Sequence, residues 1–536
     1  MKAKNTFTKI NAFITKHKYI SCAAAGALYS LAFFCGYLFV FAFLGLFVYF
    51  LIAFEKGEDG FVPKKIWRKT FCFSLGFYIP LYSWFFALYP FEAFDFTLSE
   101  GIVIVIAADI GLGLFHSLIN SSAFCLLYLF PKKTALLPLG AGVCMTVSEF
   151  VISNIGFLSF PWGIAAVGQY RFLPLIQTVS VLGPYVIALI TGAFCASLAA
   201  ACREPVKTNV RRAVLYIVCP LLLGTLLLVL PVSGYDVRNL TVSCVQGNIA
   251  SMEKWDRAKL NENIESYRAL AEEAASSGAD LVVLPESAIP TAMTSKIVKG
   301  FSDVAEKYNT TLIISGIVYE KDKKYNSLLL IGPDGKISDE RYDKRHLVPF
   351  GEYLPLESFL TKLLPSLKNI NLSSSPFSAG DENNVLHMND GNIRIGSLIC
   401  FDSIFPSLAR SDSDLLVVAT NDSWYEDSPG VYQHEAQSAL RAVENGKWVV
   451  RCANTGISCF ISPKGVISGE LAPLTEGITT KTINVALGHD TLYGSIGDVI
   501  LVFPLCFIIY SLAFAIYKSV LNAKRKDKDN GNHQTL

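Results

Sequence analysis

The sequence predicts a membrane protein with eight transmembrane α-helices plus an extracytoplasmic α/β domain, and three observations carry that reading. A chain of 536 residues with 52% apolar and only 17% charged side chains is too long and too apolar for one soluble domain. Nearly uncharged runs long enough to cross a bilayer recur along its first half and once near its end. Between them, from about residue 233 to 494, short β-rich runs alternate with helical stretches, the pattern of an α/β layer architecture.

The first uncharged run, 20–53, holds two spans that fold back near Cys35 to Tyr37. Further spans are expected at 70–89, 101–130, 134–152, 172–201, 214–232 and 496–517, a seven-plus-one arrangement. This divides the chain into a membrane domain at 1–232, a catalytic domain at 233–494, and a last helix with a basic tail at 495–536.

Orientation follows from the short loops. The leader "MKAKNTFTKINAFITKHK", the loops "EKGEDGFVPKKIWRK", "FPKKTA" and "CREPVKTNVRR", and the tail "KSVLNAKRKDKD" are basic and read as cytoplasmic. The alternate loops are acidic ("PFEAFDFTLSE") or carry a single Arg ("NIGFLSFPWGIAAVGQYR"), which puts the long polar stretch outside with both termini inside. The basic leader runs into a double-length apolar segment, a poor fit to a cleaved signal peptide. Polar residues inside the spans, Asp109, His116 and Glu149, need a partner helix or water and are candidates to line a substrate path.

Net charge excludes one class of partner. At +1, with basic residues in short clusters rather than on a continuous face, the chain is not expected to bind nucleic acid. Of the thirteen cysteines, Cys244, Cys400, Cys452 and Cys459 fall in the polar stretch, without the pattern of a disulfide framework or of a zinc site. No metal or cofactor is expected.

Within the polar stretch, "LTVSCVQGNI", "ADLVVLPES", "TTLIISGIVYE", "YNSLLLIGP", "IRIGSLICF", "DLLVVATND" and "KWVVRCAN" read as strands. "DRAKLNENIESYRALAEEAASSG", "SKIVKGFSDVAEKYN" and "YQHEAQSALRAVENG" read as helices. Open α/β sheets carry their sites at strand carboxyl ends, and three reactive groups sit there. Glu286 ends "LVVLPE", Cys400 ends "RIGSLIC", and Lys344 follows a strand in "DERYDKRH". A thiol needs a base to take its proton, and an oxyanion needs a fixed positive partner. A carboxylate, a lysine and a cysteine meet those needs. Singly, each has an ordinary explanation: a buried filler cysteine, a turn glutamate, a solvated lysine.

Together, in this order and with these neighbours, they resemble the nitrilase superfamily, whose Glu-Lys-Cys triad maps onto Glu286 of "LPES", Lys344 of "YDKRH" and Cys400 of "ICFD". That resemblance implies an α-β-β-α sandwich. "YDKRHLVPFGEYLPL", "VQGNI", "TNDSWY" and "FPWG" at 160–163, joined to the flanking spans, are similar to the apolipoprotein N-acyltransferases of bacterial membranes. The likeness implies transfer of a fatty acyl chain from a phospholipid, phosphatidylethanolamine by the same resemblance, to the α-amino group of a diacylglyceryl-cysteine on an apolipoprotein. The transfer would run through a Cys400 thioester at the inner membrane, with the catalytic domain in the periplasm. Glu286 is then the proton acceptor, Lys344 the oxyanion stabiliser and Cys400 the nucleophile, with no metal or nucleotide required. Glu352 of "VPFGE" matches a second glutamate beside the triad, and Phe401-Asp402 departs from the Tyr-Glu that close relatives carry after the cysteine. Trp255, Tyr353 and Trp424, in loops, and Phe401 are the candidate substrate-binding residues, the three loop aromatics as a lid that admits acyl chains. His434 is expected to face a neighbouring helix or solvent. The alternative function is a membrane-tethered amidase or nitrilase-type hydrolase using the same triad with water as second nucleophile; a further rival is an inactive scaffold that binds lipidated proteins.

Overall fold

The computed structural model describes residues 16–57, 60–89, 97–130, 136–232, 234–363, 376–381, 385–388 and 392–533. Apolar helices occupy the first half: Lys18–Ser30, Val40–Ala53, Ile66–Leu81, Leu98–Phe124, Leu137–Ser153, Val186–Arg203 and Lys207–Val229; Val502–His533 closes the chain. Among the described residues, five helical stretches are long and apolar enough to cross a membrane: Ile66–Leu88, Leu98–Tyr128, Val186–Arg203, Lys207–Val229 and Val499–Leu521. Lys18–Ser30, Val40–Ala53 and Leu137–Ser153, at 13, 14 and 17 residues, fall short of the roughly 20 that a bilayer core requires.

Two of the expected runs are divided. The stretch expected as one span at 172–201 begins as two single turns, Leu173–Ile176 and Val179–Leu182, and becomes a continuous helix only at Val186–Arg203. Gly183, at φ 80°, turns the chain where Pro184 follows it. At 496–517 a short helix, Leu492–Ile496, stops at Gly497 before the last long helix starts. The fold-back near Cys35 to Tyr37 is made by two short 3-10 turns, Leu31–Phe33 and Gly36–Leu38.

Without a hydrophobic drive in lipid, membrane helices associate by close backbone approach through small residues. Leu137–Ser153 meets Val186–Arg203 this way. A Cβ on Gly142 would lie 2.4 Å from the Leu189 carbonyl oxygen, and one on Gly192 would lie 2.8 Å from the Gly142 Cα.

The polar stretch forms two stacked sheets. One runs Gly477–Ala486, Val237–Gln246, Leu281–Val283, Thr311–Glu320, Lys323–Ile331, Ile337–Asp343, with Ile289–Ala292 paired to Thr311–Glu320. The other runs Ile467–Ser468, Cys459–Ile461, Trp448–Ala453, Leu415–Thr420, Ile393–Ile399, Val385–Met388. Each is parallel at its centre and antiparallel at its margins. All seven expected strands and all three expected helices are present; of the marginal antiparallel strands only Lys323–Ile331 was expected.

The two-residue period of a strand sorts side chains between layers. Leu281, Val283, Ile395, Leu415, Val417, Val450 and Cys452 face inward and join the sheets in one core. Val282 and Leu284 face the other way, onto helices Leu260–Ser276 and Ser295–Tyr308. Leu398, Leu416, Val418 and Val449 pack beneath helix Pro429–Asn445 in a cluster that continues into the membrane helices. The layers are therefore α-β-β-α, with the second helical layer fused to the membrane part.

Candidate active site

Cys400 directly follows strand Ile393–Ile399 and opens a 3-10 turn, Cys400–Ile404. Its φ of 49° is left-handed, a conformation that costs a non-glycine residue about 1–3 kcal/mol and persists only where its surroundings hold it. Asp402 supplies part of that hold. Its Oδ2 accepts hydrogen bonds from the Ile399 N–H (3.2 Å) and the Tyr342 hydroxyl (2.6 Å), and its Oδ1 from the His346 N–H (2.7 Å). The residue that departs from the expected Tyr-Glu pair thus ties the cysteine turn to the lysine loop.

Glu286, Lys344 and Glu352 come together although 66 positions separate the first from the last. The Lys344 Nζ donates to Glu286 Oε1 and to Glu352 Oε1, each at 3.0 Å, and Lys344 is only 1% exposed. Asn326 Nδ2 donates to Glu286 Oε1 at 2.8 Å, the Asn421 N–H donates to Glu286 Oε2 at 3.0 Å, and the Val348 N–H donates to Glu352 Oε2 at 2.8 Å. One ammonium between two buried carboxylates with fixed secondary donors leaves each group one orientation.

The charges follow from these neighbours. Burial opposes the Lys344 ammonium, but Glu286 and Glu352 outweigh it and hold its pKa well above the ordinary lysine value. Burial, with Glu286 adding, pushes the Cys400 thiol well above the usual range, so the resting group is a thiol that needs a base. Burial also raises Glu352 and Asp402.

Several contributors had no signal in the sequence. Lys254, 1% exposed, ends the short helix Ser251–Lys254 and donates its Nζ to the Glu286 carbonyl oxygen at 2.7 Å. Burial brings its pKa down to about 7. Asn454, buried, uses all four of its hydrogen-bonding positions. Its Oδ1 accepts from the Ile249 N–H (3.0 Å) and the Tyr267 hydroxyl (2.7 Å); its Nδ2 donates to the Ile249 carbonyl (2.7 Å) and Asn421 Oδ1 (2.9 Å). It thereby locks the loop whose backbone binds Glu286. A lysine or asparagine of this kind looks like any surface polar residue until the fold buries it.

His434 corrects an expectation. It faces neither solvent nor an unrelated helix: it is wholly buried behind the nucleophile, with Nδ1 at 2.9 Å from Asp422 Oδ1 and Nε2 at 3.3 Å from the Cys400 carbonyl oxygen. Asp422 also accepts from Thr420 Oγ1 (2.8 Å) and Arg451 Nη2 (2.6 Å), and despite burial the Arg451 guanidinium and His434 hold its pKa down at about 2. Cys400, Asp422 and His434 offer donor atoms within 4.8 Å of one another, yet they do not fit a metal ion. Both Asp422 oxygens are engaged, and the Arg451 guanidinium lies 3.2 Å from His434 Nδ1, where a second cation would be repelled. Cys452 and Cys459 are both free and buried.

The four aromatics expected to meet substrate lie around this site in different settings. Trp255 follows Lys254 and is 47% exposed; Tyr353 adjoins Glu352 and is half-buried; Trp424 ends the turn after Asn421 and is 36% exposed. Phe401 is buried, its ring 6.0 Å from that of Phe160 in the "FPWG" segment and 5.3 Å from that of Phe405. Of the intramembrane polar groups, His116 Nδ1 lies 2.6 Å from the Tyr82 hydroxyl and Glu149 Oε1 accepts from the Ala165 N–H at 2.8 Å, whereas Asp109 Oδ1, His116 Nε2 and Glu149 Oε2 are buried without a hydrogen bond among the described residues.

Residues 241–491 match the carbon-nitrogen hydrolase family, so the sandwich is the fold of that class of enzymes. Residues 25–197 match the apolipoprotein N-acyltransferase N-terminal domain. The chain is 35% identical over 361 residues to the apolipoprotein N-acyltransferase of Geobacter metallireducens, covering 63% of this chain and 67% of that one. It is 31% identical over 414 residues to the same enzyme of Bradyrhizobium diazoefficiens (73% and 76%), and 30% identical over 478 residues to that of Pasteurella multocida (81% and 86%). The chain belongs to the apolipoprotein N-acyltransferase family: it is a membrane acyltransferase.

Proposed function

We propose that this enzyme moves an acyl chain from a membrane phospholipid, phosphatidylethanolamine in the first instance, to the α-amino group of a diacylglyceryl-cysteine at the N-terminus of an apolipoprotein. The observation that carries the chemistry is Lys344 clamped between Glu286 and Glu352 beside a strained, protonated Cys400. Glu286 takes the thiol proton as the sulfur attacks the ester carbonyl, and Lys344 with the Phe401 N–H stabilises the oxyanion. The intermediate collapses to a Cys400 thioester; the lysophospholipid alkoxide leaves with the proton from Glu286. The neutral amine then attacks the thioester, gives its proton to Glu286, and an amide forms as Glu286 returns that proton to the Cys400 thiolate. Glu352 orients Lys344 and Glu286, while Trp255, Tyr353, Phe401 and Trp424 guide the acyl chain.

The arrangement in the membrane is part of the same proposal. Eight spans, seven before a catalytic domain at 233–494 and one after, put both basic termini in the cytoplasm and the site on the periplasmic face of the inner membrane. The alternating charge of the loops supports this, as do the 3-10 turns that lengthen the short helical hairpin at 18–53. A tethered hydrolase would need a single anchor. The packing of Phe160 and Trp162 against the cysteine turn and helix Pro429–Asn445 ties the membrane part to the chemistry instead.

The test is to incubate purified enzyme in nanodiscs with acyl-labelled phosphatidylethanolamine and seek a hydroxylamine-sensitive adduct on Cys400 by mass spectrometry. A diacylglyceryl-cysteine peptide added next should collect the label as an amide. An adduct that hydrolyses without transfer points to the hydrolase, and no adduct with any phospholipid removes Cys400 as the acyl carrier.

A further inference from the structure

We propose that His434 is a positioning residue for the nucleophile: by gripping the Cys400 carbonyl oxygen from behind, it fixes the direction of the Phe401 N–H in front. The peptide between Cys400 and Phe401 can turn about the Cys400 ψ and Phe401 φ bonds unless its own polar groups are held. That peptide is planar and trans, so the Cys400 C=O and the Phe401 N–H point in opposite directions, and rotating one away carries the other with it. Whatever holds the oxygen therefore aims the N–H.

Two groups hold it. Ser403 Oγ donates to the Cys400 oxygen at 2.7 Å, and His434 Nε2 lies at 3.3 Å from that oxygen and 3.1 Å from Ser403 Oγ. A carbonyl oxygen only accepts, so a grip on it by the imidazole requires the proton on Nε2, with Nδ1 left to accept from Arg451 Nη2 at 3.2 Å. His434 is itself immobilised. Nδ1 faces Asp422 at 2.9 Å, Asp422 is held by Arg451, and the ring of Trp162 stacks at 26° with its centroid 5.8 Å away. Trp162 is pinned in turn, its Nε1 donating to Gln433 Oε1 at 2.5 Å. The brace thus ends in the "FPWG" segment of the membrane part, whose Trp162 ring stacks on His434.

This rests on the thioester reading, and its test separates the two. A glutamine amide nitrogen reaches the place of imidazole Nε2, an asparagine nitrogen that of Nδ1, so His434→Gln keeps the grip on Cys400 and His434→Asn keeps only the contact with Asp422. Acylation of Cys400 by phospholipid needs the oxyanion donor; alkylation by iodoacetamide, which forms an S–C bond and releases iodide, does not. In the full-length enzyme in nanodiscs, His434→Asn should slow acylation by about 100-fold, the effect of losing one oxyanion donor, with alkylation unchanged. His434→Gln should restore acylation. Equal acylation by His434→Asn and the unaltered enzyme overturns the proposal, as does equal loss of acylation and alkylation, or failure of glutamine to rescue. If neither variant folds, Ser403→Ala, which removes the other grip on the same oxygen, must show the same split, and its absence overturns the proposal. Failure of the thioester reading shows differently, as no adduct in the unaltered enzyme.

Discussion

At the scale of single residues, the site is made by burial more than by residue type. Lys344 and Lys254 are both buried lysines, but one lies between two carboxylates and the other has a carbonyl for its partner. The first is held charged because two carboxylates bonded to it outweigh its desolvation; the second is brought down to about 7 because burial outweighs the more distant pull of Glu286. Lys254 serves the site through the backbone of Glu286. Lys254→Met removes a costly buried ammonium and the donor to that carbonyl together. We expect thermal stability to shift by no more than about 1–2 kcal/mol and acylation of Cys400 to fall on the order of 10- to 100-fold, since a misplaced base costs that much. Melting temperature and adduct formation measured on one preparation check this; full acylation by the variant would show that Glu286 holds its place unaided.

Glu286, Lys344 and Cys400 stood out as candidates because each stands at a strand end in a recognisable segment. Lys254, Asn326, Asn454 and His434 did not, since nothing in "MEKWD", "YNS", "CANTG" or "YQHEAQ" marks a side chain that the fold will bury against the site. Asp402 lies between these cases: visible as a departure, but explained only by its bonds to Tyr342 and His346.

At the scale of elements, the parallel strands were legible from unbroken apolar runs and the long membrane helices from length. The break at Gly183 was not, because hydropathy does not register a change of backbone direction inside an apolar run. Helix pairing was invisible for a related reason: lipid-facing and helix-facing positions are equally apolar, and small residues decide the contact. Gly142→Ala is expected to lower stability in detergent by about 1–3 kcal/mol, because the new Cβ meets backbone of the facing helix. Gly111→Ala, on helix Leu98–Phe124 with nothing within 4 Å, is the control and should be neutral or stabilising by up to about 1 kcal/mol. Equal melting of the two variants would remove the close-approach explanation.

At the scale of the whole molecule, the α/β part is not an independent body resting on the membrane. One apolar cluster runs from Phe33, Trp162 and Leu175 in the membrane part to Val443 of helix Pro429–Asn445 and to Leu398, Phe401, Phe405 and Val418 beneath that helix. Arg171 adds ion pairs to Glu435 (3.6 Å) and Glu470 (3.2 Å) across the same junction. Residues 233–494 expressed alone should therefore expose a large apolar face, bind a hydrophobic dye and associate in the absence of detergent. A monomeric, dye-silent fragment would show that the junction is dispensable.

The sequence by itself determined which segments are apolar enough for lipid, that an α/β unit lies between them, and which three side chains are proposed to carry the chemistry. Those properties reside in local composition, two-residue alternation and motif identity. Only the tertiary structure decided how Glu352, Asn326, Asn421 and Lys254 converge on Glu286 and Lys344, and how Trp162 and His434 come to stand behind Cys400. Their order along the chain carries no information about distance; the stacking of two sheets and the fusion of the outer helical layer with the membrane helices set it.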